Sequence, residues 1–262
     1  MTITKRSELK RNWRNCVVNK AIRILLSEAK NRSPNYSPFN CPDKIYGHLN
    51  GASFSWNESK LNQDLSEHQN NLAIILVLES PHVDEFDSIT KMGIGPAQGQ
   101  TGQKIQQYLP EVLNNPIIKP HFQDKVYDVV LINAVQYQCS LGENPLLYRD
   151  AEFLRLWEEK SVREDFKKRL KAVTTMYMNS IIINCCTVGN HIDVLTSKKG
   201  TLTTPYIHEL GVNESLFNGF NEKFSLKNLV EKEIITICVK IPHFRCAHPS
   251  SWHKPKNRDI KE

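Results

Sequence analysis

Residues 72–85 read Leu-Ala-Ile-Ile-Leu-Val-Leu-Glu-Ser-Pro-His-Val-Asp-Glu. The first half, LAIILVL at 72–78, is apolar at every position, so neither of its faces suits water. A run this short, closed by a Glu-Ser-Pro turn, is the pattern of a strand buried on both faces of a parallel sheet. Three further runs match it: VYDVVLIN at 126–133, SIIINCC at 180–186 and EIITICVKI at 233–241. Helical spacing lies between them, at 101–113 and over a long stretch at 150–178 where Leu154, Trp157, Val162, Phe166 and Leu170 recur. Strands alternating with helical crossovers predict an α/β fold, a three-layer α/β/α sandwich around a four-stranded parallel sheet.

Towards the N-terminus the pattern changes. Leu9, Trp13, Val17, Ala21, Ile24 and Leu25 predict a helix over 5–30, which the Asn-Arg-Ser-Pro-Asn and Ser-Pro-Phe-Asn-Cys-Pro cluster at 31–42 breaks. Residues 43–70 are polar and read as a loop-rich lead-in. The chain thus divides into a basic extension at 1–70 and an α/β domain at 71–262.

The 262 residues carry 34 Lys and Arg against 28 Asp and Glu, a net charge of +6, and 40% of them are hydrophobic. That balance excludes a largely disordered, a collagen-like or a membrane-embedded chain. The opening MTITKRSELKRNWRN has no apolar segment behind it, so a cytoplasmic protein is expected, with its seven Cys as core residues, ligands or free thiols. Positive charge gathers at both ends. Lys5, Arg6, Lys10, Arg11, Arg14, Lys20 and Arg23 stand near the start, and Arg245, Lys254, Lys256, Arg258 and Lys261 near the end. Either a polyanionic partner or simply a solvated helix face accounts for this.

In parallel sheets ligands bind beyond the carboxyl ends of the strands. Glu79-Ser80-Pro81-His82-Val83-Asp84-Glu85 follows the first run, Asn133-Ala134-Val135-Gln136-Tyr137 the second, and Pro242-His243-Phe244-Arg245-Cys246-Ala247-His248-Pro249-Ser250 the fourth. A carboxylate, a carboxamide and an imidazole would converge on one rim. That set can position a water or stabilise a cation, read a planar ligand, and donate to a leaving group. Each signal is also explained structurally, as a cap, a turn or a core histidine.

The glycine-rich stretch Gly93-Ile-Gly95-Pro-Ala-Gln-Gly99-Gln-Thr-Gly102-Gln-Lys104 invites a phosphate-binding reading. It lacks the adjacent Gly-Lys of a P-loop and the third glycine of the dinucleotide fingerprint. A phosphate held by the start of the 101–113 helix and an ordinary loop both stay open. Cys238, His243, Cys246 and His248 are spaced poorly for zinc, and no Gly-x-Ser-x-Gly elbow or deaminase signature occurs.

Taken in order, these segments resemble the uracil-DNA glycosylase superfamily, in particular its branch with a Gly-Glu-Ala-Pro-Gly first motif. Glu79-Ser80-Pro81 with Glu85, then Pro96-Ala97-Gln98-Gly99-Gln100-Thr101-Gly102, Asn133-Ala134-Val135 and His248-Pro249-Ser250 follow the branch's motif order over about residues 70–255. The resemblance implies a monofunctional DNA glycosylase that flips a base out of the helix and leaves an abasic site. It implies that Asn133 pairs with the edge of the flipped base, and that His248 donates to a base oxygen. Glu79 would stabilise the oxocarbenium-like sugar or orient the attacking water, with Asp84 and Glu85 as second-choice carboxylates. Pro81, His82, Glu85, Ala97, Gln98, Gln100 and Tyr137 would surround the base. Ser250, Ser251, Trp252, His253, Lys254 and Arg245 would meet DNA, with Trp252 as the wedge that fills the vacated stack.

The departures from that branch shape the substrate expectation. Its iron–sulfur cysteines are not matched, so no cluster and no metal is expected. Leu78 and His82 replace glycines flanking its first motif, and Ala97 falls where relatives stack an aromatic ring on uracil. An Ala there, with Gln98 and Gln100 beside it, predicts an enlarged, amide-lined pocket. Divergent prokaryotic members of the superfamily remove hypermodified pyrimidines from phage DNA. The preferred substrate is accordingly a glucosylated hydroxymethylcytosine, removed by a monomeric enzyme in antiviral defence. The alternatives are repair of uracil or another deaminated base, and a nucleic-acid-binding module without catalysis.

Overall fold

The computed structural model describes residues 36–51, 53–56, 72–122, 125–142, 149–189 and 225–262. The predicted helix at 5–30 and its basic residues lie outside the described residues. Six strands form one mixed sheet: β1 (Lys44–Asn50), β2 (Ser53–Trp56), β3 (Leu72–Leu78), β4 (Val126–Asn133), β5 (Asn179–Asn184) and β6 (His243–Arg245). Their order is β2-β1-β4-β3-β5-β6. LAIILVL is the strand that the other parallel strands flank, paired in parallel with β4 on one side and β5 on the other. Burial on both faces suits its unbroken apolar sequence.

The described helices are α1 (Gln100–Leu113), α2 (Ala151–Glu158), α3 (Lys160–Met176) and α4 (Leu226–Ile237). They cover both faces of the sheet. Ile75, Val77, Val130 and Ile132 point to one side, packing with Phe153, Phe166 and Leu170 of α2 and α3 and with Val230 and Ile234 of α4. Ile74, Leu76, Val129 and Leu131 point to the other, packing with Ile105, Leu109 and Val112 of α1. This is the period-two alternation of strand side chains, and it gives the three layers.

Three expectations are corrected. The sheet is not purely parallel and four-stranded: β1 runs antiparallel to β4 and β2 antiparallel to β1, so part of the predicted loop-rich lead-in is strand. The predicted strand at 233–241 is instead the end of a helix, through Ile237, and the turn that follows it. Ser225 caps that helix by accepting from the Asn228 backbone N–H at 3.1 Å, and Leu226, Val230 and Ile234 form its buried stripe while Ile235 and Val239 are exposed. The fourth parallel strand is β6, just beyond, joined to β5 at Ile182–His243 to Asn184–Arg245. The single helix expected over 150–178 is broken at Glu159, whose backbone is extended. The apolar stripe slips out of helical register between Trp157 and Val162, and the break lets both halves face the core.

Cys41, Cys139, Cys185, Cys186, Cys238 and Cys246 are buried free thiols. Among the described residues no group of three or more His, Cys, Asp or Glu is placed to hold a metal, and no helix is long and apolar enough to cross a membrane.

Candidate active site

The parallel strands end at a cavity of about 700 Å³. Glu79, immediately after β3, forms part of its wall with His82, Asp84 and Glu85. Gly99, Gln100 and Thr101 bring the start of α1 to it, and Ala247, His248, Ser250 and Ser251 enter from beyond β6. Ends of separate chain segments therefore meet where the sheet topology requires.

Glu79 is 4% exposed. Its backbone carbonyl accepts from the Val135 N–H at 3.0 Å, which ties the β3 and β4 ends together. Its carboxylate Oε2 accepts from the Thr187 N–H at 3.2 Å and lies 3.6 Å from His248 Nε2. His248 caps the short turn Pro249–Ser251, where its Nδ1 accepts from the Ser250 N–H at 3.4 Å and lies 2.9 Å from Ser250 Oγ. A backbone N–H can only donate, so Nδ1 is the acceptor and the ring proton sits on Nε2, on the Glu79 side. Burial lowers the imidazole pKa below its ordinary value. Glu79 pulls it up, while Arg149 and Lys227 push it further down. The ring is thus a neutral donor at physiological pH. Arg149, which also lines the cavity, is paired with Asp150 at 2.8 Å.

Glu85 ends a short 3-10 turn, Val83–Glu85, that His82 caps. It is 6% exposed, and its pKa is raised to about 8, first by burial. Oε1 accepts from the Ala97 N–H at 2.9 Å and Oε2 from Asn133 Nδ2 at 3.3 Å. The Cys41 thiol lies 3.8 Å from Oε2. Glu85 therefore joins the β4 end to the glycine-rich loop. Asp84 is more exposed and sits 3.1 Å from His82 Nδ1.

Several expected residues stand elsewhere. Asn133 is 1% exposed and does not itself line the cavity; its amide donates to Glu85, and its Oδ1 has no hydrogen-bond partner among the described residues. Ala97 is no pocket floor. It is 2% exposed, packed in the core beneath α1, and adopts a left-handed φ of 61°. Gly102 explains the tightness there, since a Cβ on it would fall 2.1 Å from the Ala97 carbonyl oxygen. Gln98 bonds back to the Pro96 carbonyl at 3.4 Å, and Pro81 is buried with its carbonyl accepting from Cys139 and Ser140. Tyr137 is exposed but does not line the cavity. Trp252 is not a wedge. It is fully buried, with its indole N–H donating to the Ala247 carbonyl at 2.9 Å, because a buried indole needs that partner. His253 and Lys254 are exposed beyond it, and Arg245 faces a second cavity.

Arg149, Thr187 and Lys227 also line the cavity, and no sequence motif points to them. Thr187 was reachable, because the strand-end rule applied to the 180–186 run would have pointed to it. Lys227 was hidden behind a helix read as a strand. Comparison with family models, with curated proteins and with solved structures finds no match for this chain.

Proposed function

We propose that this protein is an N-glycosidase acting on DNA, and that the Glu79–His248 pair is its reaction centre. The observation that carries the reading is their convergence: a buried carboxylate 3.6 Å from the protonated nitrogen of a neutral imidazole, both on the wall of one cavity. Cleavage breaks the bond between the anomeric carbon and the base nitrogen, with the electron pair leaving on the base. His248 Nε2–H stabilises the base oxygen on which that charge collects. Glu79 stabilises the cationic sugar and orients a water, whose oxygen bonds to the anomeric carbon as its proton passes by way of the carboxylate to the departing base anion. The products are a free base and an abasic site. Glu85, protonated near neutrality, is a positioning residue that holds Asn133 and the glycine-rich loop.

The proposed substrate is a bulky modified pyrimidine, glucosylated hydroxymethylcytosine in phage DNA, which would make the protein an antiviral one. The support is the size of the cavity, about 700 Å³ between the described residues, within the range that takes a drug-sized ligand. Ala97 lends no support, since it lies in the core. The test is formation of alkali-labile sites in glucosylated phage DNA, in unmodified DNA and in a uracil-containing duplex. Breaks confined to the glucosylated DNA are expected. Breaks in the uracil duplex alone would assign the enzyme to repair, and none in any of the three would overturn the glycosidase reading.

A further inference from the structure

Beside the Glu79–His248 cavity lies a second one of about 490 Å³. Val188, Lys227 and Ala247 line both and form the wall between them. The second is the more basic of the two. Lys227, Arg245, Lys256 and Lys261 line the second cavity, with Asp259 as the carboxylate on its wall. Among the described residues no carboxylate forms an ion pair with any of the four cations.

Two of these cations are built in. Lys227 is 7% exposed, and its ammonium donates to the Cys246 carbonyl oxygen. An ammonium carries three donors, and a buried one without a counter-charge is costly. Arg245 and Lys261 are bridged by two backbone hydrogen bonds, 2.7 and 2.9 Å, an arrangement that sets their side chains next to each other on one face. The Arg245 guanidinium is further held by Asn228 Oδ1 at 2.5 Å. The first turn of α4 contributes Ser225, Lys227 and Asn228 to the same wall, so the positive end of a twelve-residue helix adds to the field.

We propose that this second cavity binds a phosphate ester, and that the ester belongs to the nucleic-acid strand whose base enters the neighbouring cavity. The inference rests on the glycosidase reading for the source of the phosphate. The shared Lys227 wall sets the two sites side by side, as a nucleotide's base-and-sugar unit and its phosphate require. The cavity also supplies what the Glu79–His248 side lacks, a place for strand charge where four cations line the wall against one carboxylate.

The test uses the full chain and a labelled, unmodified oligonucleotide, with affinity followed by anisotropy against salt. Lys256 and Lys261 are exposed, so Lys256→Gln and Lys261→Gln keep the fold; Arg245→Gln is the stronger variant, checked by circular dichroism. Each loss should lower the slope of log affinity on log salt by about one, while Lys168→Gln, on the exposed face of α3, leaves it unchanged. Wild-type slopes in all three cavity variants would overturn the proposal. Thermal shift with a deoxynucleoside 5′-monophosphate separates the sources. Stabilisation by the monophosphate that vanishes in Arg245→Gln, with the oligonucleotide slope unmoved, would overturn the strand as the source. Alkali-labile sites are scored on the same preparations. Altered slopes without excision would overturn the glycosidase reading alone, and excision with unaltered slopes the phosphate cavity alone.

Discussion

Glu79 and Glu85 stand at the two ends of one short loop and are hidden to nearly the same degree, 4% and 6% exposed. Both line the same cavity. At the Glu79 end, an imidazole nitrogen is 3.6 Å away and a backbone N–H is donated to the carboxylate. At the Glu85 end, the described partners are an amide, a backbone N–H and a thiol, and the acid keeps its proton up to about pH 8. Burial alone therefore does not define a reaction centre. What faces the carboxyl group decides whether it works on a ligand or holds the fold together.

The largest effect that separates the two ends is on catalysis. Glu79→Gln should lower excision by about 10² or more, while Glu85→Gln, which imitates the protonated acid, stays within a few-fold of wild type. Equal losses measured under single-turnover conditions would erase the distinction.

Stability should rank the ends the other way. Glu85→Ala strands the Ala97 N–H and Asn133 Nδ2 and should cost about 1–3 kcal/mol in urea unfolding, more than Glu79→Ala. Ala97→Phe should also destabilise by about 1–3 kcal/mol through overpacking, without changing which base is released. A specificity change in that variant would return Ala97 to the pocket.

The smallest effect, counted per pH unit, is a pH dependence. The folded chain binds the Glu85 proton more tightly than the unfolded chain does. The stability this gives is complete below the ordinary carboxylate range and is lost as pH rises through that range to about 8. The loss should not exceed about 1.4 kcal/mol per pH unit, and Glu85→Gln should flatten it. Denaturation midpoints across pH 5–9, a range chosen to span roughly that window, give the comparison. His248 adds an opposite contribution. Its lowered pKa favours the neutral ring, so stability falls as pH drops through the ordinary histidine range.

The parts of the fold that sequence made legible are those where one physical rule dominates. LAIILVL and VYDVVLIN are buried on both faces, and their ends carry Glu79 and Asn133 into the structure at the positions their pattern predicts. β1 was illegible because a bulge between Ile45 and Gly47 interrupts its alternation, so Ile45, Tyr46 and Gly47 are buried in succession. The 233–241 run misled because β-branched residues favour strands, whereas packing of Val230 and Ile234 against the sheet stabilises a helix. At the site, strand-end logic found Glu79 and His248. It could not tell that Asn133 faces Glu85 or that Trp252 joins the core cluster with Ile105 and Leu109, since those facts depend on partners distant in sequence.

The central claim is that Glu79 and His248 act together on one leaving base. A double-mutant cycle tests it most directly: single-turnover base release by wild type, Glu79→Gln, His248→Ala and the double variant on the substrate DNA. Each single change is predicted to cost about 10² or more, with the double variant little slower than the worse single one, since groups acting as a unit are strongly non-additive. Wild-type rates in both single variants, or fully multiplicative losses in the double variant, would contradict it.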